Sequence, residues 1–389
     1  MKKTMSLTLL FVLFLSFNAY GAEVFRLGLL YDGTGSLATY GRQGKWACDW
    51  AVEEINKKGG IQGHKIEVFA ENAATDTQKA STGAYKVITK DQVHLIVGPT
   101  SSSNNSVIQQ ITERSKVPYV ATVGSADSLT EGKKEWFFRF SLAARFQSES
   151  LINYCTNVLK AKTFALLAAT SAHGQSLMEN FIQTLEKKGL KQNLLVVERF
   201  KDKDMDFSSQ LLKVKAASPD ILAIYGFSTE SARMVTQARS MGIKSHFVGG
   251  TGLDEEYGKL AGAAGVGTIV SYGFWPKVPI PKVQDFNKEF HKRTGIEQPN
   301  FAGPQTWDIL HAFAEVMNKN PNVPRLSLKE NKLESDRLVI RDAIAMIKNY
   351  DGVSGIFSFC KDPTPDCRDG LKDVMLLQFK EGGQIVKIQ

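Results

Sequence analysis

Runs of apolar residues recur along the chain with helix-like segments between them. "VFRLGLL" (24–30) is a continuous apolar run of strand length, followed by "YGRQGKWACDWAVEEINKKGG" (40–60). There Trp46, Trp50 and Ile55 fall near one helical stripe, and Gly59 and Gly60 supply a C-terminal stop. "HKIEVFAEN" (64–72), "HLIVG" (94–98) and "VPYVATV" (117–123) are further strands. Helices are expected between them at 76–91, opened by a capping box of Thr75 and Gln78, and after the polar stretch "VGPTSSSNNS" (97–106). The alternation then repeats, with strands at 163–170, 194–200, 220–226, 246–250 and 267–274 and helical segments between them. Strand–helix alternation of this kind predicts parallel sheets covered by helices. After position 274 the pattern changes to helices near 283–295, 305–320 and 334–350, then short β-like pieces at 355–359, 373–380 and 384–389. A purely sequential two-domain chain has no need of that tail. It fits a chain that crosses back between two α/β lobes.

Length and composition agree with this reading. The chain has 389 residues, room for about two domains. Its 43% apolar and 23% charged residues suit a packed globular protein. The start does not belong to the core. "MKK", the apolar run "LTLLFVLFLSF" (7–17) and the small residues Ala19 and Gly21 predict a signal peptide over 1–21 and an exported protein. The net charge of +8 is spread among acidic residues, as in "KDKDMD", rather than gathered into a patch with aromatics. Nucleic acid is therefore not an expected partner. Of the four cysteines, Cys360 and Cys367 flank the turn-rich "KDPTPD" and are expected to close it as a disulfide in an oxidising compartment. Cys48 and Cys155, in helical segments, are expected to be buried thiols.

Catalytic signatures are missing from the sequence. The six histidines make no His-Glu-x-x-His spacing, and no Gly-x-Ser-x-Gly elbow occurs. "GAAGVG" (262–267) precedes a strand rather than a helix, which is the wrong context for a dinucleotide loop. No enzyme, metal site or cofactor is expected. The polar stretch 97–106 reads either as a helix N-cap with spare polar residues or as a cradle for an anion. A serine-rich turn between a strand and a helix offers hydroxyl donors at a helix N-terminus, where amides and dipole favour negative charge.

"GGIQGHKIEVFAENAATDTQKA", "LIVGPTSSS", "KDMDFSSQLLKVKAASPDILAIYG", "TQARSMGI" and "YDGVSGIFSF" resemble, in order, segments of type I periplasmic binding proteins. The subgroup they resemble most is the branched-chain amino acid (Leu/Ile/Val-binding) type that serves ABC transporters. The resemblance runs over essentially the whole chain after the leader. It implies two Rossmann-like lobes with parallel sheets, joined by a hinge of three crossovers near 142–146, 274–278 and 351–355. The lobes would be 22–143 with 276–352, and 144–275 with 353–389. It also implies a periplasmic monomer that captures a small solute between its lobes and delivers it to an inner-membrane permease. A sensor docking to a membrane receptor would use the same pocket.

The resemblance places Ser102 and Ser125 on a ligand carboxylate, with Thr100, Ser101, Val123 and Gly124 lining the same pocket and Tyr40 covering it. In the second lobe, His173 and Phe227 stand where the family often has tyrosine. Thr251 stands where amino-acid binders commonly have an acid facing the ligand ammonium. Asp254 would need a loop shift to replace that acid. The expectation is therefore a carboxylate without an α-ammonium group, such as an aromatic or other organic acid, with His173, Phe227 and Phe301 as an apolar wall. An amino acid is the alternative.

Overall fold

The computed structural model describes residues 23–98 and 100–389, and the expected leader at 1–21 lies outside the described residues. The first lobe is built on strands β1 (Phe25–Tyr31), β2 (Ile66–Asn72), β3 (Leu95–Gly98), β4 (Tyr119–Ala121) and β5 (Phe137–Arg139), in the order β2-β1-β3-β4-β5. All of these pairings are parallel. Helices α1 (Ala38–Lys57), α2 (Thr77–Tyr85) and α3 (Ser102–Ser115) connect them. The capping box expected at Thr75 is not formed. Asp76 caps α2 by accepting from Lys79 N at 2.9 Å, and Thr75 turns instead toward the first loop, accepting from Leu37 N at 3.2 Å.

The second lobe runs α4 (Ala144–Asn157), β6 (Phe164–Ala169), α5 (Ala172–Lys187), β7 (Leu194–Phe200), α6 (Ser208–Ala217), β8 (Ile221–Tyr225), α7 (Ser228–Ser240), β9 (His246–Gly249), α8 (Glu255–Ala261) and β10 (Ile269–Tyr272). Its central strands β6 and β8 are buried along their whole length, which explains their unbroken apolar sequences. The edge strand β7 alternates exposed and half-buried positions. The chain then returns to the first lobe as α9 (Pro281–Thr294), α10 (Ala302–Lys319), α11 (Leu333–Ala345) and the hairpin β11 (Tyr350–Gly352) and β12 (Gly355–Phe357). After α12 (Pro365–Arg368), β13 (Met375–Phe379) and β14 (Ile385–Lys387) complete a seven-stranded sheet in the order β14-β13-β10-β9-β8-β6-β7. β13 pairs antiparallel with both β10 and β14.

Three passages join the lobes, between β5 and α4, between β10 and α9, and between β12 and β13. The third lies later than 351–355. Those residues form a tight hairpin turn, held by the buried Asp308 of α10, which accepts from Val353 N at 2.8 Å and Ser354 N at 2.6 Å. Phe357 and Phe359 pack against Phe140 and Phe138 of the first lobe at ring distances of 4.0 and 5.4 Å. The passage follows that contact. Within it the disulfide Cys360–Cys367 closes the expected loop, while Cys48 and Cys155 are buried thiols.

The third passage is anchored by charge. Asp369, fully buried, accepts from Arg139 Nε at 2.7 Å and from Arg145 Nη2 at 2.6 Å. Arg139, also fully buried, lies at the end of β5, and Arg145 opens α4. One carboxylate therefore holds the first passage and the third together. Removing it leaves a guanidinium buried without its main partner, so Asp369→Ala is expected to cost about 3–5 kcal/mol of stability. Urea unfolding measures this, and a loss below about 1 kcal/mol, the range of an exposed pair, would contradict the anchoring role.

Candidate functional site

In each sheet the strand order reverses beside the strand that opens it: β2 and β3 flank β1, and β7 and β8 flank β6. The crevice beyond the carboxyl ends of strands at such a point is where open α/β sheets hold ligands. Here the two crevices face one another. Leu37 and Tyr40 follow β1, Ser101 and Ser102 follow β3, and Val123, Gly124 and Ser125 follow β4. From the other lobe, His173 follows β6, Phe227 follows β8, and Thr251 and Gly252 follow β9. These residues and Phe301, at the start of α10, line one cavity of about 20 Å³. A larger chamber of about 250 Å³, lined by Tyr272, Phe274, Trp275 and the acidic start of α8, shares Phe301 as a wall.

The first-lobe half is organised by Asp32, fully buried just past β1. Its Oδ1 accepts from Thr75 N at 2.7 Å and Asn104 Nδ2 at 3.0 Å, and its Oδ2 accepts from Ser101 N at 3.0 Å. Burial holds its carboxyl pKa above the ordinary value, and these donors offset only part of that rise. Helix α1 passes so close to it that a Cβ at Gly41 would lie 2.1 Å from Asp32 O, which sets the position of Tyr40. Asn105 donates to Thr100 O at 3.2 Å and to Val123 O at 2.5 Å, tying the turn after β3 to the turn after β4. Gly124 has φ +107, and a Cβ there would meet Asn105 Nδ2, so both backbone and space call for glycine.

Within this frame the serines divide their work. Ser101 is the N-cap of α3, accepting from Asn104 N at 3.1 Å. Ser102 Oγ accepts from Ser125 N at 3.0 Å and Ala126 N at 3.3 Å, so its own proton is free to be donated into the cavity. The leading N–H groups of a helix lack intrahelical acceptors. Those of Ser102 and Ser103 have no acceptor among the described residues. Thr100 does not line the cavity: its hydroxyl accepts from Asn104 Nδ2 at 3.0 Å and its carbonyl from Asn105, so it supports the turn from behind. Leu37 and Gly252 were not anticipated. Leu37 lies one helical turn before Tyr40 and Gly252 next to Thr251, and those spacings were the available signal.

Across the cleft, Ser125 Oγ and His173 Nδ1 are 2.6 Å apart, and the imidazole stacks on Phe227 at 5.4 Å with an interplanar angle of 9°. Burial lowers the His173 pKa to about 4, so the ring is neutral at ordinary pH. Its Nε2 is buried without a partner among the described residues. Activated serine–histidine pairs commonly carry a third group that orients the base; here Nε2 has no such partner among the described residues. Tyr40 OH donates to Thr251 O of the opposite lobe at 3.2 Å. Burial, with Asp254 nearby, raises its pKa and keeps it a neutral donor. Asp254 does not line the cavity. Its Oδ1 accepts from Ser228 Oγ at 2.6 Å and from Glu256 N at 3.0 Å as the cap of α8. The cavity thus presents hydroxyl and helix N–H donors at one end, a neutral imidazole opposite, and apolar walls from Leu37, Val123, Phe227 and Phe301.

A family model described as Periplasmic binding protein matches residues 24–384. A Leu/Ile/Val-binding protein of Rhizobium johnstonii is 28% identical over 268 residues, covering 69% of this chain and 72% of its own. A leucine-, isoleucine-, valine-, threonine- and alanine-binding protein of Pseudomonas aeruginosa is 27% identical, covering 64% of this chain and 66% of its own. Among solved structures, the leucine-binding protein LivK of Thermotoga maritima has a TM-score of 0.80 at 22% identity, covering 94% of this chain and 98% of its own. The branched-chain amino acid transporter substrate-binding protein LivJ of Streptococcus pneumoniae, solved with isoleucine, has a TM-score of 0.79 at 25% identity, covering 94% of this chain and all of its own. With two facing α/β lobes, a shared cavity and a family model that spans nearly all of the described residues, the chain belongs to the periplasmic binding protein family.

Proposed function

We propose that the protein is the solute-binding component of an ABC importer, exported by the leader at 1–21, acting as a monomer and handing its ligand to an inner-membrane permease. In this reading it captures a small carboxylate in the cavity between its lobes and catalyses nothing. The observation that carries it is the convergence of groups from both lobes on one space: Ser102 and Ser125 from one side, His173, Phe227 and Thr251 from the other. Ser102 and the N-terminus of α3 take the carboxylate, Ser125 and His173 form its second polar edge, and Tyr40 and Phe301 cover it. A space of about 20 Å³ holds little more than one water. A solute the size of an amino acid therefore enters only when the lobes part, and its contacts to both lobes favour closure.

Branched-chain amino acids come first as ligands, since those are what the relatives are named for. A second reading, a carboxylate without an α-ammonium, is favoured by one observation: no acidic side chain lines the smaller cavity among the described residues, Asp254 being held by Ser228 and facing the adjoining chamber. A buried ammonium facing only neutral acceptors is costly. Thermal-shift measurements with L-leucine, L-isoleucine and L-valine, against the 2-oxo acids of the same side chains and benzoate, separate the two. A ligand at about a hundred times its Kd stabilises by ~2.7 kcal/mol, so a true ligand is visible. Shifts with the amino acids support the first reading, shifts with the other acids alone support the second, and silence throughout overturns both.

Ser102→Ala is expected to weaken binding of whichever carboxylate is found by about 1–3 kcal/mol, measured by calorimetry. Unchanged affinity would remove Ser102 from the carboxylate. His173 supplies a pH signature. Its folded pKa of about 4 lies below the ordinary 6.5, so the stability contributed by its neutral form is full above 6.5 and lost as pH falls toward 4. Imidazole nitrogen shifts followed by NMR should show this ring unprotonated until near that lower value, and titration at the ordinary value would contradict its burial against Phe227.

A further inference from the structure

Gln147 lies in the first turn of α4, is fully buried, and does not line the cavity. Its side-chain amide nonetheless makes three hydrogen bonds to three different parts of the molecule. Oε1 accepts from Thr251 N at 3.0 Å and from Ser271 Oγ at 3.3 Å, and Nε2 donates to Leu142 O at 3.0 Å. Leu142 belongs to the first passage between the lobes, and Ser271 lies on β10, just ahead of the second passage. Thr251 belongs to the turn whose carbonyl receives Tyr40 OH from the opposite lobe. Gly250 permits this approach: a Cβ there would lie 2.9 Å from Gln147 Oε1 and 2.9 Å from Leu177 Cδ1.

We infer that Gln147 is the positioning residue that couples the Thr251 turn to the hinge. The link from lobe to hinge is a chain of single hydrogen bonds: Tyr40 OH to Thr251 O, Thr251 N to Gln147 Oε1, Gln147 Nε2 to Leu142 O. A change in the angle between the lobes moves Leu142 and Ser271. Gln147 passes that movement to Thr251, holding its N–H while Tyr40 holds its carbonyl. Only a group that is acceptor and donor at once does this, because Oε1 must face two donors and Nε2 an acceptor. The inference rests on the reading that the lobes close over a solute, and its test includes a measurement that needs no solute.

The variants are Gln147→Leu, which removes acceptor and donor, and Gln147→Glu. A protonated carboxyl in that position reproduces the amide, with its carbonyl accepting and its hydroxyl donating to Leu142 O. An ionised one loses the donor and adds a buried charge. Spin labels at Lys57→Cys and Lys187→Cys, exposed sites near the ends of α1 and α5, report the distance between the lobes. L-leucine is the ligand probe, with Tm recorded in parallel.

Gln147→Leu is expected to broaden the interlobe distance distribution without ligand and to weaken L-leucine about tenfold through faster dissociation. Gln147→Glu is expected to match wild type near about pH 5 and to match the leucine variant near about pH 8, because burial raises its pKa into that interval. Wild type shows no such step. Distances and affinity equal to wild type in Gln147→Leu, or a lowered Tm with both unchanged, overturn the coupling and leave a plain structural brace. Should Gln147→Leu fail to fold, the pH series of Gln147→Glu decides alone, and a flat series overturns the inference. Should wild type bind no L-leucine, the amino-acid reading fails while the distance distributions still decide the coupling.

Discussion

The cleft depends on a quartet of charges behind it, three of them buried and Arg145 half-buried. Arg139 and Asp369 are fully buried and bonded to each other, Arg145 bridges Asp369 and Asp127 at 2.6 and 3.1 Å, and Asp127 lies 3.5 Å from Arg139. Two cations and two anions balance, but balance alone does not make such a cluster strongly stabilising. Desolvating the ions offsets much of their attraction. What the cluster fixes is register. It binds the end of β5, the start of α4 and the third passage to one another.

The cluster also sets the site's geometry. Arg139 Nη1 donates to Ala126 O at 2.6 Å, which pins the turn carrying Ser125. Asp127, in the same turn, faces α5 of the other lobe: its N–H donates to Ser176 Oγ at 2.9 Å, and its Oδ2 accepts from Asn180 Nδ2 at 2.6 Å. His173, Ser176 and Asn180 follow one helical face at i, i+3 and i+7. The helix that holds His173 against Ser125 is thus aligned by a carboxylate belonging to that quartet. Site and hinge are one hydrogen-bonded unit read from two ends.

Much of this was legible in the chain. The strands at 24–30, 64–72, 94–98 and 163–170 follow from apolar runs of strand length between helical stripes, and each is present. Tyr40, Ser101, Ser102 and His173 follow three of those strands, β1, β3 and β6, and Ser125, Phe227 and Thr251 follow β4, β8 and β9, so chain order and topology together with the family resemblance reached them. What could not be read depended on contacts remote in sequence. Thr75 was expected to cap α2, but Leu37 competes for its hydroxyl from 38 positions away. The family resemblance placed the third passage near 351–355. Asp308, about 45 positions earlier, turns that segment into a hairpin. Gln147 carries no local signal at all, since its three partners come together only when β9, β10 and the first passage are folded.

The same contacts limit how firmly the lobes can be held together by the protein itself. Across the cleft run Tyr40 to Thr251 at 3.2 Å, Ser125 to His173 at 2.6 Å, Asp127 to Ser176 at 2.9 Å and to Asn180 at 2.6 Å, and Ala172 N to Ser103 Oγ at 3.4 Å. Each is worth about 1 kcal/mol net, because water satisfies the same groups when the lobes part. Their sum is offset by the entropy of holding two bodies at one angle. An equilibrium balanced to a few kcal/mol can be tipped only by a ligand that binds both halves, and the tilt equals its differential affinity for the two states. Ser102 on one side and His173 with Phe227 on the other are placed to supply that difference. On the proposed function, a solute that touched the serines alone would bind without closing the protein, and the second-lobe groups would be needed for the differential affinity that closure requires.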